Sequence, residues 1–195
     1  AKSHSYAKLN PIAQYPFEVT KEQVLASPEL SDPIRTLESC TNPDGAAALI
    51  LTNQELAEKY TKKPVFLIGT GQAQNTLALS ARKTLTTMDS TVNAAKSAYE
   101  MANIKSSDID LAEVHDVFTI SELMALEDLN FIEKGKFAGY ESLIPINTSG
   151  GLKGCGHATA ATGVRQACEI VAQLRGEAEE RQVENPKTGL THTIS

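Results

Sequence analysis

Two histidines and one glycine-rich loop carry the chemistry legible in this sequence. The loop runs Asn147-Thr-Ser-Gly-Gly-Leu-Lys-Gly-Cys-Gly-His157, and it leads into a run dense in small residues, Ala158, Ala160, Ala161, Gly163 and Ala167. Glycines at 150, 151, 154 and 156 let another group approach the main chain closely. His157 is expected where this loop turns into a helix. With Val164, Cys168, Ile170 and Val171 the helix is apolar on nearly every side, the pattern of one buried between layers. An imidazole delivered this way can serve as a general base or acid near neutral pH. Taken alone, His157 is better accounted for by a capping turn with a satisfied histidine.

The second histidine, His115, stands with Asp116 just after an apolar run, Ile109 to Val114, that reads as a strand. Open α/β sheets place their ligand crevices outside the carboxyl ends of the strands, which is where this pair would sit. The plainer reading makes His115 a loop residue and Asp116 the cap of the following helix, which carries Val117, Ile120, Leu123, Met124 and Leu126. Cys155 lies two residues before His157 and is a candidate acid/base; a buried inert thiol is the alternative. Cys155, His157, His115 and His192 match no standard zinc spacing, so no metal is expected. Gly69-Thr-Gly71 has Gln74 where a dinucleotide fingerprint needs its third glycine, so no nucleotide site is assigned there.

The elements that must position these residues follow from pattern and punctuation. Thr20-Lys-Glu-Gln23 forms a capping box for a short helix through Ala26, ended by Pro28. Ala46–Leu51 and Pro64–Thr70 read as buried strands, with a helix from Gln54 to Tyr60 between them capped by Thr52 or Asn53. Residues 72–87 show no firm period. A helix over 89–102 presents Val92, Ala95, Tyr99 and Ala102, and Ser106–Asp108 turns into the strand before His115. Residues 130–146 are irregular, with turns at Gly135, Gly139 and Pro145. The helix after the glycine loop fades near Gly176, Glu177–Glu184 is charged and expected in solvent, and Gly189–Ile194 reads as a last strand.

Composition bounds the classes. Of 195 residues, 41% are hydrophobic, enough for a core, and no apolar run reaches the roughly 18 residues of a membrane span. A net charge of −6 argues against a nucleic-acid or anionic-membrane surface. Three cysteines, 40, 155 and 168, offer no disulfide framework, which points to a reducing, cytoplasmic compartment. The start Ala1-Lys-Ser-His4 lacks Met and reads as processed or excised.

Three motifs in order, Asn42-Pro-Asp-Gly-Ala-Ala-Ala48, Val114-His-Asp-Val-Phe118 and the glycine loop through Gly163, resemble the thiolase superfamily. The branch they look like is the archaeal and sterol-carrier-protein-x type thiolases, and Gln173-Leu-Arg-Gly-Glu-Ala178 and Leu190-Thr-His192 fit it as well. The resemblance covers this whole chain but only about half of the family's subunit. It implies that residues 1–33 are the end of a loop region over the acyl-CoA site, 34–63 the last strand and helix of the N-terminal half, and 64–195 the C-terminal domain. The implied fold is α/β: the C-terminal half of a layered αβαβα arrangement with a mixed five-stranded sheet, partly built here, and a buried central helix.

The implied activity is acyl transfer between coenzyme A thioesters, by thiolytic cleavage or Claisen condensation, with no bound cofactor. A cysteine in the half that is not in this chain would take the acyl group. By the resemblance, His157 activates that thiol and His115 completes an oxyanion hole, while Ser149, Gly150 and Gly151 lie near the acyl chain. The implied partners are acyl-CoA, the N-terminal half on the same or another chain, and further copies in a homo- or hetero-oligomer. Two departures stand out. Val117 occupies the place of a second, acid/base cysteine, and Ala158 and Ala160 replace a proline and a glycine after the histidine. A ketosynthase-like or aldolase-like condensing enzyme, or a catalytically silent acyl-CoA-binding or scaffold subunit, are the alternatives these departures leave.

Overall fold

The computed structural model describes residues 1–137 and 144–194. Its organising element is the strand β3 (Leu111–Glu113), all three of whose residues are buried. It pairs in parallel with β4 (Gly189–Thr191), with Leu111 opposite Gly189 and Glu113 opposite Thr191. A parallel bridge joins Ala112 to Ile146. Parallel pairing requires long crossovers, and helices supply them.

Side chains alternate across β3 and so divide two layers. Ala112 and Val114 join Ala95 of helix α4 (Asp89–Ala102) and Ala125 and Leu126 of α5 (Thr119–Asp128) in the main apolar cluster. Leu111 and Glu113 take the other side, toward α7 (Thr162–Arg175). There a methyl on Gly189 would lie 2.5 Å from Ile170 Cγ2 and 3.4 Å from Leu111 Cδ2, so sheet and helix meet at near-backbone distance. Helix α4 ends where Asn103 takes a left-handed conformation, and α7 ends the same way at Gly176.

The N-terminal region is smaller and laid over the glycine loop. Helix α1 (Lys2–Lys8) packs on α6 (Gly151–Cys155), where Ala7 sits so close that a methyl on Gly154 would be 2.5 Å from its Cβ. Helix α2 (Lys21–Ala26) carries the expected reciprocal capping box between Thr20 and Gln23. An antiparallel pair, β1 (Glu29–Ser31) and β2 (Ile34–Arg35), follows. Helix α3 (Gln54–Tyr60) is capped by Asn53, whose Oδ1 accepts from the Leu56 amide at 3.0 Å.

Several sequence expectations change here. Ala46–Leu51 and Pro64–Thr70 enter no ladder among the described residues; Ile50 is 95% and Leu67 73% exposed. A strand-forming sequence without a neighbouring strand has nothing to exchange hydrogen bonds with. Residues 69–71 instead lie along α4, where a methyl on Gly71 would fall 1.8 Å from the Ala94 carbonyl oxygen. The buried residues of α4 are Thr91 and Ala95, while Val92 is 39% exposed.

Helix α7 is not uniformly apolar. It buries Thr162, Gln166, Glu169, Ile170 and Gln173, and Val164 is exposed. Its interior is a hydrogen-bonded network. Glu169 receives two-pronged donation from Arg181 at 3.1 Å, and Gln173 bonds Thr148 and Gln182. The charged segment Glu177–Glu184 is therefore partly inside, because Arg181 and Gln182 satisfy the polar face of α7. The turn expected at Gly139 lies outside the described residues.

Candidate active site

The strand end and the glycine loop bring the two histidines together. The rings of His115 and His157 meet edge to face with centroids 5.1 Å apart. His115 follows β3 at its carboxyl end and is 5% exposed; His157 is half-buried. It does not open a helix as expected. The short helix α6 precedes it and α7 begins five residues later, so His157 sits in the link between two helices.

That link is fixed by main-chain contacts. Gly156 adopts φ +97°, and a methyl there would lie 2.5 Å from Pro43 Cγ, so only glycine closes this turn. The His157 amide donates to the Thr41 carbonyl at 2.9 Å, and the neighbouring Cys40 amide donates to the Val117 carbonyl at 2.7 Å. Segment 39–41 thus straps the His115 loop to the His157 loop.

Thr162 sets the tautomer of His157. Its hydroxyl donates to the Ala158 carbonyl at 3.0 Å, so it accepts from His157 Nδ1–H at 2.8 Å. The Nε2 lone pair is left as the basic atom. Burial, then the Arg165 guanidinium, hold the His157 pKa below the ordinary histidine value, so the ring is neutral and able to take a proton at neutral pH. His115 is pushed down to about 4 by burial and by His157.

Asp116 does not cap the following helix; Phe118 precedes α5. Asp116 is fully buried, accepts the Leu152 amide at 2.7 Å and pairs with Lys153 Nζ at 2.8 Å, and so anchors the start of α6. Gly151, at φ +62°, makes room for it: a methyl would lie 2.3 Å from Asp116 Oδ2. Gly150 packs on Ala7 in the same way, and Ser149 is 1% exposed with its hydroxyl donating to Glu113 at 2.6 Å. These three residues are buried and hold the loop through Glu113, Ala7 and Asp116.

Burial governs the thiols. Cys155 is 5% exposed, near Asn10 Nδ2 at 3.8 Å, and burial raises its pKa. Cys40 and Cys168 are raised by burial too, so no cysteine of this chain is held as a thiolate. Among the described residues no three His, Cys, Asp or Glu side chains are grouped to hold a metal ion.

Three residues of the site escaped the sequence reading, Thr162, Arg165 and Thr91, and His192 entered it only in a rejected zinc set and in the Leu190-Thr-His192 motif. His192, 8% exposed, bonds Thr91 Oγ1 through Nε2 at 3.0 Å, and its pKa is pushed down to about 4 by burial and by the nearby His115. The parallel register of β3 and β4 brings it there. The usable signal was the placement of both histidines just past two strands.

These buried groups predict a pH signature. His115 and His192 titrate near 6.5 when unfolded and near 4 when folded, so the unfolded chain binds more protons and stability falls as pH drops from 6.5 toward 4. His4 and His157 shift in the same sense. Glu113 opposes them. Burial raises it from 4.5 to about 7, so its contribution is full below 4.5 and lost as pH rises through 7. Urea midpoints should therefore climb up to pH 6.5 and dip slightly toward 7. Glu113→Gln should steepen the acid limb and remove the dip; an unchanged profile would refute the assignment.

An α/β layer with a histidine from a strand end facing a histidine from a glycine loop defines the class of protein. Residues 71–195 match the family described as Thiolase C-terminal domain-like, and the chain belongs to it. It is 47% identical to acetyl-CoA acetyltransferase of Methanothermobacter thermautotrophicus, over 98% of this chain and 52% of that protein. It is 34% identical to human (Homo sapiens) sterol carrier protein 2, over 99% of this chain and 38% of that protein. The solved structure of the Ltp2-ChsH2(DUF35) aldolase shares the fold, with a TM-score of 0.82 at 22% identity, covering 97% of this chain and 52% of that one. The chain thus spans about half the length of the archaeal relative it matches. No helix among the described residues is long and apolar enough to cross a membrane.

Proposed function

We propose that this chain supplies the acid/base and oxyanion-binding histidines of a thiolase-type acyl transfer, acting with a cysteine nucleophile carried outside these 195 residues. The observation that carries this reading is the edge-to-face pair of neutral rings, His115 and His157, in a chain whose three cysteines are all held as thiols. Such a site lacks only a nucleophile. The name of the archaeal relative supports acetyl-CoA as substrate.

In this reading His157 Nε2 takes the proton of the incoming cysteine thiol, and the thiolate attacks the thioester carbonyl of acyl-CoA. His115 Nε2–H faces the oxygen on which charge develops. The tetrahedral species collapses to an acyl-cysteine, and the departing CoA sulfur takes the proton back from His157. The coenzyme A thioester is substrate, and no bound cofactor enters. In the same reading residues 64–195 are the C-terminal domain, 34–63 the last strand and helix of the nucleophile-bearing half, and 1–33 the end of the loop region over the acyl-CoA site. The exposed apolar segments 49–51 and 66–68 support a partner layer that covers them.

Val117 favours a second reading. Without a thiol there, the second proton transfer of a thiolase falls to a histidine, as in a ketosynthase-like or aldolase-like condensation. The test is intact-mass analysis of everything that copurifies from the native source, before and after incubation with acetyl-CoA. A cysteine thioester on a second polypeptide, or on a longer form of this one, is expected. No thioester with an intact partner present would leave a silent acyl-CoA-binding subunit.

A further inference from the structure

Beside the carboxyl end of β3 runs a segment that leaves the ladder yet goes on serving it. Ala112 pairs in parallel with Ile146: its amide donates to the Pro145 carbonyl at 3.0 Å, and its carbonyl accepts the Asn147 amide at 2.8 Å. A parallel ladder would next join the Val114 amide to the Asn147 main-chain carbonyl. Here that carbonyl is taken. Asn147 adopts φ +57°, and its carbonyl accepts the Gly150 amide at 3.0 Å, closing the turn that opens the glycine loop. The Val114 amide donates instead to Asn147 Oδ1 at 2.7 Å. A side-chain carbonyl thus stands in for the main-chain one.

The other end of the same amide is engaged as well. Asn147 Nδ2 donates to Glu122 Oε2 of α5 at 3.1 Å. An N–H on one side and a carboxylate on the other fix which end of the amide is oxygen. Asn147 and Val114 are both 0% exposed, so no solvent competes for these bonds. Asparagine also tolerates the left-handed backbone that the turn requires. Two residues on, the Ser149 amide and hydroxyl hold the Glu113 carboxylate at 2.9 and 2.6 Å. Ala112, Glu113 and Val114, which lead to His115, are therefore each held by the first turn of the loop that ends at His157.

We infer that Asn147 is a positioning residue for both histidines, setting the register between the strand that delivers His115 and the loop that delivers His157. Its side chain holds the residue just before His115, and its turn begins the loop ten positions ahead of His157. Without the Oδ1 acceptor the buried Val114 N–H is left unpaired, and the strand end must move to find another partner. The inference rests on the proposed roles of the two histidines for its purpose, but the register itself does not depend on them.

The test is NMR of the full chain, deuterated except at its histidine rings and labelled with carbon-13 and nitrogen-15. In the wild type a scalar coupling across the hydrogen bond should link the Val114 nitrogen to Asn147 Cγ. The ring protons of His115 and His157 should cross-relax, as centroids 5.1 Å apart require. Asn147→Gly keeps the left-handed backbone and removes the amide; the cross-peak between the two rings should vanish, with helix content unchanged by circular dichroism. Asn147→Asp combined with Glu122→Gln keeps an acceptor for Val114 and reverses the bond to α5, so the cross-peak should persist. A wild type without the coupling to Cγ would overturn the inference, even if neither variant folds. So would a folded Asn147→Gly that keeps the cross-peak, whatever stability it loses, because Asn147 would then support the fold without placing the rings. A folded double variant that lacks the cross-peak would do the same. Failure of acyl transfer with the spectra as stated would instead count against the acyltransferase reading and leave the register standing.

Discussion

Replacing His157 by Ala should slow acyl-cysteine formation by about 10²- to 10⁴-fold in the completed enzyme, the usual span for removing a general base. The fold should survive. The His157 side chain has Thr162 as its hydrogen-bond partner, and that hydroxyl keeps its own bond to the Ala158 carbonyl when the ring is gone. The amide of residue 157 still donates to Thr41. Rapid-quench measurement of the thioester after mixing with acetyl-CoA reads the effect directly. His115→Ala should lose about 10²- to 10³-fold in the same assay, as for other oxyanion donors. An acylation rate within tenfold of wild type in His157→Ala would end the reading of this ring as the base.

Removing Asp116 should destabilise the chain more than any change at the histidines. Asp116 is fully buried and satisfies two donors at once, the Leu152 amide and the Lys153 ammonium, and Lys153 also donates to the Asp116 carbonyl at 3.1 Å. In Asp116→Ala the ammonium stays inside, with Glu122 at 4.0 Å as its nearest remaining carboxylate. Breaking one side of a buried pair typically costs about 3–5 kcal/mol. Urea unfolding should show that loss in Asp116→Ala, a smaller one in Asp116→Asn, which keeps an acceptor for Leu152, and partial recovery in Asp116→Ala with Lys153→Met. A single variant within about 1 kcal/mol of wild type would show that water already reaches the pair.

Much of this was legible because local rules and the fold agree. The Thr20–Gln23 box, the Asn53 cap, the helix over 89–102 and the strand before His115 each rest on residues that act within a few positions of themselves. His115 and His157 were readable as candidates because one follows a strand and the other a glycine loop. The unpaired segments at 46–51 and 64–70 were not readable as such, since pairing depends on a neighbour that a sequence window does not contain. Nor was the polar interior of α7. Gln166, Glu169 and Gln173 look solvent-facing until Thr193 is brought to the first, Arg181 to the second, and Gln182 and Thr148 to the third. Asp116 misled for a similar reason: a cap needs only the next three residues, whereas its actual partner is 37 positions away.

The strap through segment 39–41 has a bearing on how such sites diverge. Both ends of it are amide-to-carbonyl bonds, from Cys40 to Val117 and from His157 to Thr41, and neither uses a side chain. The two bonds of the strap therefore make no demand on which side chains residues 40, 41 and 117 carry. A lineage can exchange a thiol for an isopropyl group at position 117, and so trade one proton-transfer route for another, while the two rings stay where they were. Reaction type can drift at such a position without a compensating change elsewhere in the fold.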